Sequence, residues 1–446
     1  MANIKWKRII LDEAHRIKNH STKANKAMCL LKAKYRIAIT GTPIHNSLND
    51  LYSLIKFLHF DPMNDFGLWK YLFPEDKKQS EAKKQSQVAI EREKRTGHWL
   101  KLLSDYLILR RTKKDKFIGT DKCIVDLPEK HIEEVRFKLN AGENIIYGKI
   151  FEESKQKVNE FLNNQHNKLI GKITSTTNNL SAIFVYLLRL RQACCHMSLL
   201  SECLDKDELK NHQFEHEGVE GMMENMTLAD KSSIEDSIDA IKEVKSENLA
   251  ECLKKSYMSS KIDKSIAMIT NILEEYPEDK LIVVSQWTSM LSIIGNHLRK
   301  RDLKYCEIRG DVKLFVRNEI VESFNDKSNT DLRVMLLSLT AGGVGLNLVG
   351  ANRMFLLDIH WNPALEQQCA DRIYRVGQKK NVTIYKLLCE QTIEERIQQI
   401  QQGKIQIAEK VCRSGAESAV PGMPGNAKLN SNDLRLLFSD FPDKSN

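Results

Sequence analysis

"IILDEAHRIKN", residues 9–19, decides the fold: three apolar residues, Ile9, Ile10 and Leu11, run straight into two carboxylates, Asp12 and Glu13. A short apolar run ending abruptly in acid is the pattern of a buried strand whose carboxyl end faces a ligand, since open parallel sheets bind ligands beyond those ends. There Asp12 is suited to hold Mg²⁺, directly or through water, and Glu13 to orient or deprotonate the water that attacks a phosphate. The same pair also suits a helix N-cap and its first turn.

Outward from this stretch, "KRIILDEAH" (7–15), "KANKAMCLLKAK" (23–34), "YRIAITGTP" (35–43) and "LNDLYSLIKFLHF" (48–60) alternate strand with helix. That alternation predicts an α/β lobe over residues 1–60, with a parallel sheet covered on both faces. Thr40 and Thr42 end its second strand and are candidates to couple a nucleotide site to nucleic acid, although Gly-Thr-Pro also makes a plain tight turn.

Residues 61–127 read as a helical protrusion closing in the basic junction "RRTKKDK" (110–116), and residues 128–200 as a helical linker ending in "LRLRQACCHMSLL". Residues 201–258, acidic and without strict period, are expected to be a poorly ordered insertion. The strand and helix alternation returns over 259–415, through "KLIVVSQW", "KYCEIRG", "LRVMLLSL", "ANRMFLLDI" and "VTIYKLL", as a second α/β lobe. A Gly/Pro/Ser-containing linker and the amphipathic "SNDLRLLF" fill residues 416–446.

Hydrophobic residues make up 41% of the 446 and charged ones 28%, enough for two or three domains that each bury a core. No apolar run approaches the ~20 residues that span a bilayer, so no membrane partner is expected. A net charge of +9 suits a polyanionic partner as well as plain solubility. The ten cysteines form no Cys-x-x-Cys, the pairing that places two thiolates on one tetrahedral ion, which argues against structural zinc.

In "LLSLTAGGVGLNL" (336–348), Gly342, Gly343 and Gly345 permit close backbone approach to a ligand. They are not a dinucleotide fingerprint, whose third glycine would fall at Leu348. In "DRIYRVGQ" (371–378), Arg372 and Arg375 stand three apart, hence on one face of a helix, a pairing suited to phosphate.

Together "ILDEAHRIKN", "ITGTPIHN", "LILRRTKKD", "LRLRQACCH", "VVSQWTSML", "LLSLTAGGVGLNL", "LDIHWNP" and "DRIYRVGQKKNVTIYKLL" stand in the order found in the Swi/Snf-type DNA-dependent ATPases, which this chain resembles over nearly its whole length. Two local departures are His45, where the family usually has Gln, and Met197, where it usually has Pro. The resemblance implies two RecA-like parallel-sheet lobes, the first incomplete, with helical insertions between them. It implies ATP and magnesium as cofactors, double-stranded DNA as partner, and a nuclear protein that displaces RNA polymerase II or acts on chromatin. By position, Asp12 and Glu13 become the metal and water carboxylates and Arg372 and Arg375 the arginine fingers. Asp12, His15, Gly343, Gly345 and Gln378 become nucleotide contacts. Thr40, Thr42, Ser285, Gln286, Ser338, Asn347 and Trp361 lie on the DNA track or the coupling path, a core aromatic being the other reading of Trp361. The basic junction becomes a structural joint after the protrusion.

The phosphate-cradling loop G-x-x-x-x-G-K-[ST] should precede the Asp-Glu strand by roughly a hundred residues in this architecture. Only eleven residues precede Asp12, and none of the three Gly-Lys pairs, at Gly148, Gly171 and Gly403, fits the motif. The expectation is an amino-terminally truncated motor with little ATP hydrolysis of its own, its remaining first-lobe strands left with an unpaired edge and an uncovered face; a noncatalytic DNA- or protein-binding short form is the alternative.

Overall fold

Ile9 and Leu11 alternate inward from strand β1 (Lys5–Leu11), which pairs in parallel with β2 (Lys32–Ala38), Ile10 beside Ile37 and Leu11 beside Ala38. The computed structural model describes residues 4–41, 48–73, 87–109, 111–113, 115–169, 180–201, 247–342, 345–413 and 431–439. The chain divides into two units, Met1–Thr112 with Gln402–Asn430 and Lys113–Gln401 with Ser431–Asn446.

In the first unit, Thr22 caps α1 (Lys23–Leu30) by accepting the Asn25 N–H. Helix α2 (Leu48–Leu58) sends Leu54 and Phe57 onto Ile9, Leu11 and Ala38, covering one face of the two strands. Asp65 caps α3 (Phe66–Leu72), whose Trp69 is buried with Tyr52 and with Leu103 of α4 (Gln87–Leu107). The opposite face of the strands stays open: Ile10 is 56% and Ile37 45% exposed, and Trp6 and Tyr35 are exposed too. Among the described residues one face is therefore covered and the other is left open. No described partner strand or helix lies beyond Ile10 and Ile37 to bury them.

The second unit holds a six-stranded parallel sheet in the order β3-β8-β7-β4-β6-β5. The strands are β3 (Lys130–Phe137), β4 (Leu281–Ser285), β5 (Tyr305–Ile308), β6 (Val334–Ser338), β7 (Arg353–Leu356) and β8 (Val382–Cys389). Central β4 is buried throughout, and its alternation serves two layers. Leu281 and Val283 pack with Ile266 of α8 (Ser260–Glu275) and Leu291 of α9 (Thr288–Arg299). Ile282 and Val284 meet Phe324 of α10 (Leu314–Asn325) on the other face.

Residues 128–200, expected as a helical linker, begin instead with edge strand β3, which is extended because it pairs along its whole length with β8. Helices α5 (Ala141–Leu169) and α6 (Leu180–Cys195) follow. Most of the expected insertion, residues 202–246, lies outside the described residues, as do 416–430 and 440–446 of the expected linker and closing element; α7 (Glu247–Cys252) is described. Next come α11 (Leu339–Gly342), α12 (Pro363–Ala370), α13 (Ile393–Arg413) and α14 (Ser431–Leu437). Asn362 caps α12 with Pro363 at its first turn. Lys261 of α8 and Glu394 of α13 form an ion pair at 2.6 Å with side chains 1% and 2% exposed. Among the described residues no helix is long and apolar enough to cross a membrane.

Candidate functional site

Beyond the carboxyl end of β1 the chain turns sharply. Asp12 is exposed and its carboxylate accepts the Glu13 N–H at 2.9 Å. Glu13 has φ 49° and ψ 48°, a left-handed conformation uncommon for a residue with a side chain and a form of strain that gathers at functional sites. It stands at the N-cap of the 3₁₀ turn Ala14–Ile17, where its carbonyl accepts the Arg16 N–H at 3.0 Å but its side chain makes no cap bond, and its carboxylate lies 3.2 Å from His15 Nδ1. Buried Ala14 and Ile17 anchor the turn from beneath.

Two backbone bonds tie the acidic turn to the end of β2: Ala14 N–H to the Ile39 carbonyl at 2.9 Å, and Ile39 N–H to the Leu11 carbonyl at 2.8 Å. Asp12, Glu13, His15 and Thr40 are thus gathered at the carboxyl ends of adjacent parallel strands. Thr42 and His45 lie outside the described residues. Mg²⁺ takes one or two carboxylates and keeps several waters, so the exposed Asp12 carboxylate fits it. Among the described residues no group of three or more His, Cys, Asp or Glu side chains forms an all-protein metal cage.

In the second unit the strand ends β4 and β7 adjoin where the sheet reverses its strand order, the usual place for a ligand crevice. Here the side chains turn on one another. Ser285 donates its hydroxyl to Asp358, whose other oxygen accepts the Gln286 N–H at 3.1 Å. Arg191 of α6 donates to the Gln286 side chain and to the Ile359 carbonyl at 2.8 Å. Its guanidinium lies 5.9 Å from the Trp287 ring and 5.5 Å from that of Trp361. Burial pushes the Asp358 carboxyl above its ordinary value, against the pull of Ser285, Lys261, the Gln286 amide and Arg191.

Ser285, Gln286 and Trp361, candidates for the DNA track or the coupling path, are thus brought together in one buried cluster. Asp358 and Arg191, which organise it, were missed by sequence reasoning. Their signal was present, an acid ending the apolar run of β7 and an arginine inside the apolar α6.

The remaining candidates scatter. The Ser338 hydroxyl is buried and accepts the Ala341 N–H at 3.4 Å, capping α11. Asn347 and Gly345 are exposed, and Gly343 lies outside the described residues. Gly342 serves packing: a Cβ there would stand 2.8 Å from the Cys369 sulfur. Gln378 is buried; its amide donates to the carbonyls of Val349, Ala351 and Ile373 and accepts the N–H groups of Lys379 and Lys380.

Arg372 and Arg375 are not on a helix. Helix α12 ends at Ala370, and residues 371–377 form successive turns. The Arg372 carbonyl is taken by the Leu348 N–H and that of Ile373 by the Gln378 amide, so neither is available for the next helical turn; Gly377 follows at φ 103°. Arg372 donates from Nε to the Gly342 carbonyl at 2.7 Å, whereas Arg375 is exposed.

A family model described as the SNF2-related domain matches residues 1–199, and one described as the helicase conserved C-terminal domain matches residues 263–377. Transcription termination factor 2 of Drosophila melanogaster is 35% identical over 98% of this chain and 44% of its own length. Helicase-like transcription factor of Mus musculus is 30% identical over 97% of this chain and 45% of its own. The chain thus spans less than half the length of either relative. Among solved structures, the Sulfolobus solfataricus SWI2/SNF2 ATPase core in complex with dsDNA matches at 27% identity and TM-score 0.43, over 99% of this chain and 74% of that one.

Proposed function

Because this chain belongs to the SNF2-related, helicase-like family of DNA-dependent ATPases, we propose that it acts in ATP-driven translocation along double-stranded DNA in the nucleus, displacing bound complexes such as RNA polymerase II. The observation that carries this reading is that an SNF2-related and a helicase C-terminal segment follow one another on one chain, with an acidic turn closing a parallel strand of the first. The specialisation toward transcription rests on the likeness to the Drosophila termination factor.

In this reading Asp12 holds magnesium, which when bound neutralises charge on phosphate oxygens. Glu13, kept by its left-handed backbone at the tip of the turn, orients water. Arg372 and Arg375 offset the charge that develops during phosphoryl transfer. The buried Arg191 cluster holds Gln286 and Trp361 in one arrangement.

DNA binding by the 446-residue chain tests the reading. A fluorescent duplex should be bound mainly through its phosphates, so affinity should fall steeply as salt rises. Binding that does not respond to salt would refute it. Hydrolysis by this chain alone is expected to be slow, because its sequence holds no G-x-x-x-x-G-K-[ST] stretch. Robust DNA-stimulated turnover, abolished by Glu13→Gln, would overturn that expectation.

A further inference from the structure

The basic junction that runs into the second unit contains a side chain with an unexpected address. Lys113, the first residue of that unit, reaches the turn bearing Arg372 and Arg375. Its ammonium lies 2.7 Å from the Asp371 carboxylate, donates to the Tyr374 carbonyl, and stands 4.9 Å from the Tyr374 ring centroid. Asp371 also accepts the Gln367 amide at 3.0 Å, and Gln367 accepts Lys130 of β3 at 3.3 Å. Lys130 approaches the Tyr374 ring at 5.5 Å, so two lysines, one from the junction and one from β3, attend one aromatic between the two arginines.

Residues 371–377 are held by few bonds of their own. The Ile373 and Tyr374 N–H groups both turn back to the Ala370 carbonyl, and the Gln378 N–H reaches the Arg375 carbonyl. A segment without a helical ladder needs outside contacts to keep one shape. Lys113 grips it at Asp371, immediately before Arg372, and at the Tyr374 carbonyl, immediately before Arg375. An ammonium with several donors suits this double grip, since it can serve a carboxylate and a carbonyl together.

We propose that Lys113 is the positioning residue of the Arg372–Arg375 turn, fixing where the exposed Arg375 guanidinium is presented. Its consequence for nucleotide rests on the reading of the two arginines given above. The run "RRTKKDK" then has a defined task at one position, beyond serving as a joint or a patch of charge.

Amide exchange on the full 446-residue chain tests this. Lys113→Ala and Asp371→Asn should each speed exchange of the 371–378 amides by about three- to ten-fold, the range set by a part-exposed ion pair plus a charged hydrogen bond. Exchange in β4 should stay unchanged, and Lys113→Arg should restore most of the protection. Unaltered exchange in Lys113→Ala, or acceleration in 371–378 only together with β4, would overturn the assignment. A second arm titrates a fluorescent ATP analogue with magnesium. If the parent chain binds it, Lys113→Ala should weaken binding as Arg375→Ala does, and the double variant no further; full binding by Lys113→Ala would count against positioning. A parent chain that binds no analogue is what the lack of a G-x-x-x-x-G-K-[ST] stretch leads one to expect, and the exchange result alone then decides on Lys113.

Discussion

Removing one member of the Lys261–Glu394 pair should destabilise the second unit far more than removing both. Each charge is almost wholly out of water, at 1% and 2% exposure, and each is the other's counter-ion at 2.6 Å. Desolvating two such ions costs several kcal/mol apiece and their attraction returns a similar amount, so the pair as a whole is close to neutral. Lys261→Met alone leaves the Glu394 carboxylate buried without its cation, a loss of about 3–5 kcal/mol. Glu394 also accepts the Cys389 N–H at 2.9 Å, so the partner change is best made as Glu394→Gln, which keeps an acceptor there. The double variant Lys261→Met with Glu394→Gln should recover to within about 1–2 kcal/mol of the parent. Exchange of the β4 amides under conditions that report equilibrium opening gives the readout, since those residues are buried at the centre of the sheet. Lys261→Met should accelerate it by about two to four orders of magnitude. A double variant no better than the single one would show that charge pairing is not what holds α8 to α13.

Two further outcomes are expected. Burial works to raise the Asp279 carboxyl, but bonds from Asn352, Arg353 at 2.7 Å and Lys380 at 3.0 Å outweigh it and hold the group below its ordinary value. A carboxyl lowered by folding adds stability above its unfolded pKa, about 3.9, that is lost as pH falls through the lower folded value. Urea midpoints taken from neutral pH into acid should therefore drop below about pH 4, and Asp279→Asn should flatten that drop while lowering the neutral midpoint. At Glu13, glycine accepts the observed φ of 49° without penalty, so Glu13→Gly should be more stable than Glu13→Ala by about 1 kcal/mol although both lack the carboxylate. Exchange in β1 and β2 measures the difference, and equal rates would mean the turn relaxes out of the left-handed region.

The strands that the sequence made plain are those whose surroundings are uniform. In β4 and β6 every residue is buried, so an unbroken apolar run marks them whatever their neighbours. Strand β3 escaped because "KHIEEVRF" is an edge, and charges that blunt an edge against stray pairing erase the apolar signal. The place of the acidic turn was legible, since a carboxylate after an apolar run can only sit at the strand's end. Its left-handed backbone was not, because Glu carries none of the bias toward positive φ that marks Gly or Asn. The spacing of Arg372 and Arg375 suggested a helix face, but distant groups, Leu348 N–H and the Gln378 amide, claim the carbonyls that a helix would need. The bonds of Ser285 and Gln286 to Asp358 were not legible for a similar reason: Asp358 follows β7, with β5 and β6 intervening along the chain, where local pattern has no reach.

The pairing of β3 with β8 also governs when the sheet can be finished. Its two strands stand about 250 residues apart in the chain, so their meeting is among the most non-local events the fold requires and should be slow relative to the pairing of β4 with β6. On a ribosome adding about 5–20 residues each second, β3 would emerge about 12 to 50 seconds before its neighbour exists. During that interval the strand waits, and its charged residues, Lys130, Glu133, Glu134 and Arg136, are what keep a nascent chain from recruiting the wrong companion.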